Sequence, residues 1–180
     1  FSPTMSTFLV ETDAKTFARR GFAQMSEPES RRELERLFAD SLEGHPLIDN
    51  RSIWRQFPWL KNERWHVGNC VLLGDALHTA HFSIGSGTRL AMEDAIALVR
   101  ALDEHDYAIA PALPAYQSAR EPILAKLVAA AHRSADWYER FRDHMALTPK
   151  EFAMSYITRS GRIPPQRLRA MSPRFAALFD

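Results

Sequence analysis

The chain has 180 residues, 46% of them hydrophobic and 25% charged, with 23 Lys and Arg against 22 Asp and Glu for a net charge of +1. That length supports a real core, while the small net charge gives no footprint for nucleic acid, no apolar run is long enough for a bilayer, and the opening lacks the pattern of a signal peptide. One cysteine, Cys70, excludes an internal disulfide and fits a reducing cytoplasm.

In chain order, Met5 to Thr12 reads as a strand, rich in β-branched and apolar residues. Thr16 to Met25 holds a short helix. Ser26 with Glu29 forms a capping-box signature, which opens a helix to about Leu42 that Gly44 ends. Ser52 to Phe57 and Glu63 to Val67 look like two strands paired around Pro58. Cys70 to Leu73 reads as a short buried strand, with Cys70 an inert core thiol. An amphipathic helix follows over 87–103, with Leu90, Ile96, Leu98, Val99 and Leu102 available for burial. A long helix runs from about Ala112 to Arg142, and Pro122 should kink or restart it. Thr148-Pro149-Lys150-Glu151 is a start signal for a helix to about Thr158. Pro164-Pro165 breaks the chain before a short helix near 166–170, and Ser172-Pro173 starts another.

The most informative stretch runs from Gly74 to Ala95. A strand leads into Asp75, then a loop containing Gly85 and Gly87, then a helix. Glycine lets backbone approach a ligand closely. The helix start offers free N–H groups and a positive dipole end, and the Asp75 carboxylate can accept hydrogen bonds from hydroxyls. His78 and His81 lie three apart, but no third ligand has a recognisable spacing and no His-Glu-x-x-His occurs, so no metal is expected. Ser83 and Ser86 both fail the Gly-x-Ser-x-Gly spacing of a nucleophile elbow.

The string Gly74-Asp75-Ala76-Leu77-His78, then Gly85-Ser86-Gly87, then Glu93-Asp94-Ala95, resembles the second flavin-binding motif of flavoprotein aromatic hydroxylases. These are single-component FAD monooxygenases built like p-hydroxybenzoate hydroxylase. The wider string from His78 to Gly87 is similar to the branch acting on aromatic acyl-CoA thioesters such as salicylyl-CoA or 2-aminobenzoyl-CoA. Tryptophan-hydroxylating enzymes of violacein biosynthesis carry a similar His-Phe-Ser-Ile-Gly string. Two positions depart from the common pattern: Phe82 stands where Pro is usual, and Arg89 where Asn is usual.

The resemblance implies an α/β fold, of which this chain is a mostly helical C-terminal part with a few strands completing the substrate and cofactor sheets. Residues 1–69 would be the remainder of the substrate-binding sheet and helices. Residues 70–180 would carry the second FAD motif and the C-terminal helices. No Gly-x-Gly-x-x-Gly occurs among the seven glycines, and the chain opens on Phe rather than Met. It therefore reads as a fragment missing the N-terminal dinucleotide-binding unit, inactive by itself.

The implied activity is hydroxylation of an aromatic ring through a flavin C4a-hydroperoxide, with NADH or NADPH as electron donor and O2 as co-substrate. The first-choice substrate is an aromatic acyl-CoA thioester. The alternatives are a free aromatic such as an indole or phenol, and, outside enzymology, a helical docking fragment. By resemblance the FAD-contacting positions are Gly74, Asp75, Ala76, Phe82, Ile84, Gly85, Ser86, Gly87, Thr88 and Arg89. Arg89 is equally a solvated first-turn residue. His81 is the candidate catalytic and substrate-binding residue, taking a proton from a ring hydroxyl or amine; the other reading is a structural histidine. Phe82, Trp54 and Phe57 are candidates for the substrate pocket, with a core role as the other reading for the aromatics at 54 and 57. Arg51, Arg55 and Lys61 could meet CoA phosphates or form a solvated rim. Asp94, Tyr116 and Arg120 read as structural, and so does the Trp137, Tyr138 and Phe141 face.

Overall fold

The computed structural model describes residues 2–179, in which a first unit ends at Gln56 and a second begins at Phe57. In the first unit, Asp13 caps helix α1 (Ala14–Arg20), its Oδ1 accepting the Thr16 amide at 2.9 Å, and Gly21 ends it at φ +73°. Helix α2 (Glu27–Leu37) opens on the expected capping box, with the Ser26 amide and hydroxyl both donating to Glu29. The short helix α3 (Ala39–Leu42) follows. Residues 6–12 form no strand; the only pairing nearby is an isolated bridge from Ser2 to Met5. A strand needs a partner to satisfy its backbone, and none lies beside it among the described residues of this unit. Residues 52–57 are likewise irregular. Trp54 packs instead on Phe17 and Phe22, at 5.4 and 4.6 Å between ring centroids, and donates its indole N–H to the Ser30 hydroxyl.

The second unit starts from a hairpin. Strand β1 (His66–Val67) pairs antiparallel with β2 (Cys70–Val71), His66 opposite Val71. Gly68 at φ +57° lets two residues close the turn. The pairing expected around Pro58 is replaced by this tighter one. Strand alternation turns Val71 inward and Cys70 outward, so Cys70 is an exposed free thiol rather than a core one. Trp65, just before β1, lies in the same core as Leu77 and Tyr116. The packing boundary therefore falls at 56/57, ahead of the division by role drawn at 69/70.

Helix α4 (Gly87–Glu104) packs along α5 (Ile109–Glu139). Leu90 and Ala101 of α4 and Tyr116 and Leu124 of α5 share one buried core. Helix α5 runs unbroken past Pro114 and Pro122. Pro122 removes a bond to the Ser118 carbonyl, but Ser118 and Pro122 are both exposed, so water can take its place. Beyond α5 come α6 (Phe141–His144), α7 (Pro149–Thr158), α8 (Pro165–Met171) and α9 (Pro173–Ala176). Helix α7 begins where expected, with Thr148 and Glu151 capping each other. Trp137 anchors it, stacking on His144 at 4.4 Å and donating to the Ser155 hydroxyl at 2.7 Å. No helix among the described residues is long and apolar enough to cross a membrane.

A polar centre lies inside this core. Asp94 on α4 is 0% exposed. Its Oδ2 accepts from the Gly74 amide at 3.1 Å and from His78 Nε2 at 2.7 Å, and its Oδ1 accepts from Arg120 Nε at 2.7 Å. Arg120 also donates to the Leu90 carbonyl and pairs with Glu93 at 2.9 Å. Burial alone would raise the Asp94 carboxyl, but hydrogen bonds from His78, Arg120 and the Gly74 amide outweigh it and hold it below the usual carboxylate range. Burial, then the Asp94 charge, pushes the nearby Tyr116 phenol up, so it stays a donor to the Leu72 carbonyl.

Removing one partner of a buried ion pair strands the other without solvent. Arg120→Ala should cost about 3–5 kcal/mol in denaturant unfolding, and a cost under about 1 kcal/mol would contradict the network. A carboxyl depressed in the folded state stabilises above its unfolded pKa and loses that contribution as pH falls through the folded value. Stability should therefore drop as pH falls below about 4, the unfolded Asp value, and Asp94→Asn should flatten that slope.

Candidate functional site

The segment from Gly74 to Gly87 is held from both sides. Gly74 adopts φ +57°, and a Cβ there would lie 3.1 Å from the Ala91 side chain. Only glycine lets the chain leave the hairpin this close to α4. A tight 3-10 turn, Gly74–Ala76, then leaves Asp75 and Ala76 exposed and turns Leu77 and His78 inward. Among the described residues the Asp75 carboxylate has no protein partner. Segment 58–62 clamps the next stretch: Asn62 donates its amide to the Leu77 carbonyl at 2.8 Å, and the Leu60 amide donates to the Thr79 hydroxyl at 2.8 Å.

His81 is buried, and its Nδ1 accepts the Ser83 amide at 3.3 Å. It stacks on Phe82 at 4.5 Å, and Phe57 meets both rings edge-on at 5.4 and 5.9 Å. Phe82 remains 42% exposed, presenting its ring outward. A second 3-10 turn, Phe82–Ile84, ends at Gly85 with φ +60°. Ser86 is buried and turns its hydroxyl back to the Ile84 carbonyl.

Helix α4 therefore begins without a side-chain cap and without an acid in its first turn. The amides of Gly87, Thr88 and Arg89 precede its first helical bond, from Leu90 to the Ser86 carbonyl. Such a terminus carries partial positive charge and unsatisfied donors, which suit an anionic or carbonyl-bearing ligand. Gly87 needs neither a positive φ nor a close neighbour: a Cβ there would meet nothing within 4 Å. That space opens over the helix start, where a planar ligand edge would lie, and the residues present fit such a group.

The structure brings Gly74, Asp75, Ala76, Phe82, Ile84, Gly85, Ser86, Gly87 and Thr88 onto one continuous loop and helix start, with His81 and Phe57 beside them. Arg89 is exposed and pairs with Glu93 at 3.6 Å. Trp54 sits in the first unit, its ring against Phe17 and Phe22. Asp94 read as structural from sequence, but the network that joins it to Gly74, His78 and Arg120 was not foreseen. Its signal was present: Leu90, Asp94, Ala97 and Ala101 follow the i, i+4, i+7, i+11 spacing of a buried face, and a carboxylate on that face requires a cation such as Arg120.

Comparison with known proteins gives the site a context. Residues 2–131 match the family described as FAD binding domain. The chain is 41% identical over 189 residues to salicyloyl-CoA 5-hydroxylase of a Streptomyces species, covering 99% of this chain and 36% of that protein. It is 38% identical to protodeoxyviolaceinate monooxygenase of Chromobacterium violaceum, covering 92% of this chain and 44% of that one. It is 42% identical to 3-hydroxy-4-methyl-anthranilyl-[aryl-carrier protein] 5-monooxygenase of Streptosporangium sibiricum, covering 91% and 42%. The chain thus spans less than half the length of these relatives. With the match running through the hairpin, the loop, α4 and most of α5, the chain belongs to the FAD binding domain family.

Proposed function

We propose that this chain supplies the flavin-ring side of an FAD-dependent monooxygenase that hydroxylates an aromatic ring with NAD(P)H and O2. The observation that carries the reading is the uncapped start of α4 at Gly87, with open space where a side chain would otherwise stand. The residues from Gly74 to Thr88 would hold FAD, which would supply hydride acceptance and oxygen activation. The amides of Gly87 and Thr88 would hold the N1–C2=O edge of its ring, where the helix dipole favours negative charge. Asp75 would accept from the ribityl or pyrophosphate region. Phe82, Phe57 and His81 form an aromatic wall that excludes water and seats a ring. Because Nδ1 of His81 accepts the Ser83 amide, its Nε2 carries the proton in the neutral ring. In that tautomer His81 orients a substrate oxygen by donating to it. Acting as a base requires the Ser83 contact to open.

The remainder of the flavin site would come from a dinucleotide-binding unit outside these residues. An exposed stripe on α4, Met92, Ile96 and Val99, supports a covering segment. The favoured substrate is an aromatic acyl thioester, in line with two relatives whose names specify an acyl aromatic on CoA or on an aryl-carrier protein. A free aromatic is the second reading, favoured by the similarity to protodeoxyviolaceinate monooxygenase. A reducing cytoplasm suits the exposed, unpaired Cys70.

The full-length enzyme reconstituted with FAD should oxidise NADH faster with salicylyl-CoA and give a product heavier by one oxygen atom. Flavin binding without stimulation would move the substrate to the free-aromatic class, and no flavin binding would overturn the reading. Gly87→Val should weaken FAD binding by more than about tenfold in a fluorescence titration, while flavin-free thermal unfolding stays unchanged. His81→Ala should lower kcat for hydroxylation by about 100-fold or more with FAD affinity retained. His81→Gln, which keeps a donor, should restore part of it.

A further inference from the structure

Residues 152–179 include Arg159, Arg162, Arg167, Arg169 and Arg174 and no Asp or Glu. Three of these, Arg159, Arg162 and Arg167, line one cleft of about 270 Å³, together with Ser160, Ile163 and the Ser83–Ile84 turn. No carboxylate lines it among the described residues. The cleft lies wholly within the second unit.

Its cations differ in how they are held. Arg159 is fixed in place: Nε donates to the Ser134 hydroxyl at 3.1 Å, one terminal nitrogen to the Tyr156 carbonyl at 2.7 Å, and the other to the Ser83 carbonyl at 3.2 Å. Its guanidinium also lies 4.0 Å from the Tyr156 ring centroid. Those bonds use three of its five N–H groups. Arg162 and Arg167 are exposed, and their guanidinium groups have no partner among the described residues. The turn carrying Arg162 is braced from behind. Gly161 adopts φ +69°, a Cβ there would come within 2.9 Å of Arg133, and Arg133 donates to the Ser160 carbonyl at 3.0 Å.

Three like charges around one cleft repel each other, and an anion between them removes that repulsion. Guanidinium forks match the oxygen geometry of phosphate, and a phosphate can bind several at once. The volume exceeds several times the ~30 Å³ share of one liquid water, which leaves room for a phosphate group and part of the molecule bearing it.

We propose that this cleft is a phosphate-binding site for a phosphorylated cosubstrate. The assignment of the cleft stands apart from the flavin reading; only the source of the phosphate leans on the proposed activity. Coenzyme A, as the acyl carrier, and the nicotinamide dinucleotide are the two sources that activity supplies.

The test is calorimetric titration of the full-length protein at low salt with coenzyme A, NADPH and inorganic phosphate as separate probes. It is repeated on the double variant Arg162→Gln/Arg167→Gln and on Arg174→Gln, whose arginine is exposed on the same segment but does not line the cleft. The wild type should bind at least one probe, the double variant should bind it about tenfold or more weakly, and Arg174→Gln should match the wild type. Both altered side chains are exposed and unpaired, so thermal unfolding of the double variant should be unchanged. Loss confined to coenzyme A assigns the cleft to the acyl carrier, and loss confined to NADPH assigns it to the electron donor. Loss with inorganic phosphate supports the site whether or not the protein binds flavin. The proposal falls if no probe binds with Kd below about 1 mM, if the double variant binds as the wild type does, or if Arg174→Gln loses as much.

Discussion

The carboxylate of Asp94 joins the loop after the hairpin to both long helices of the second unit. Its three donors come from Gly74, His78 and Arg120, two on the loop and one on α5. A fully desolvated charge is tolerable only when it is paired and hydrogen-bonded, and three donors on two elements do this here. The consequence is geometric. With Gly74 and His78 tied to one point on α4, the intervening turn has to project Asp75 and Ala76 outward. The loop leaves its anchor in a fixed direction and returns to the start of the same helix at Gly87.

That return explains the electrostatics of the site. A helix whose first amides lack a cap normally recovers the lost hydrogen bonds from water or a nearby side chain. Here Ser86, the residue best placed to cap, turns its hydroxyl toward Ile84 instead. The donors of Gly87, Thr88 and Arg89 are left without a side-chain cap. The cap left undone by the protein is the one that a ligand edge can complete. Arg159 holds the preceding turn through the Ser83 carbonyl.

Much of this was legible in the sequence wherever a local signal carried it. The capping boxes at Ser26 and Thr148, the glycine loop and the amphipathic period of α4 each act through neighbours within four residues. The structure reproduces the caps and the glycine loop with small shifts of boundary, but of the apolar residues expected to be buried on α4, Leu90 is buried while Ile96 and Val99 are exposed. Strands fared worse, because a strand exists only by its partner. Residues 6–12 have β-forming composition but no pairing partner among the described residues, and Val67 found Cys70 through a two-residue turn rather than the segment before Pro58. Trp54 shows the same limit: its aromatic type fits a ligand wall or a core equally, and only Phe17, Phe22 and Ser30 around it decide. Asp94 and Arg120 each read as structural from sequence, but that they meet in one buried network shows only when Arg120, 26 residues on, is seen facing Asp94.

Helix α4 answers to three demands along its length. Leu90, Asp94 and Ala101 face the core, Gly87 to Arg89 face the open loop, and Met92, Ile96 and Val99 form an exposed apolar edge. Half of its positions lie outside these sets, and Arg100, Asp103 and Glu104 among them face solvent. Neutral drift is therefore concentrated at such sites and toward the helix's C-terminal end. Variants of this protein should diverge most at solvent-facing positions such as Arg100, Asp103 and Glu104 and least at Gly87, Leu90 and Asp94, a pattern of tolerance set by what each face of one helix must meet.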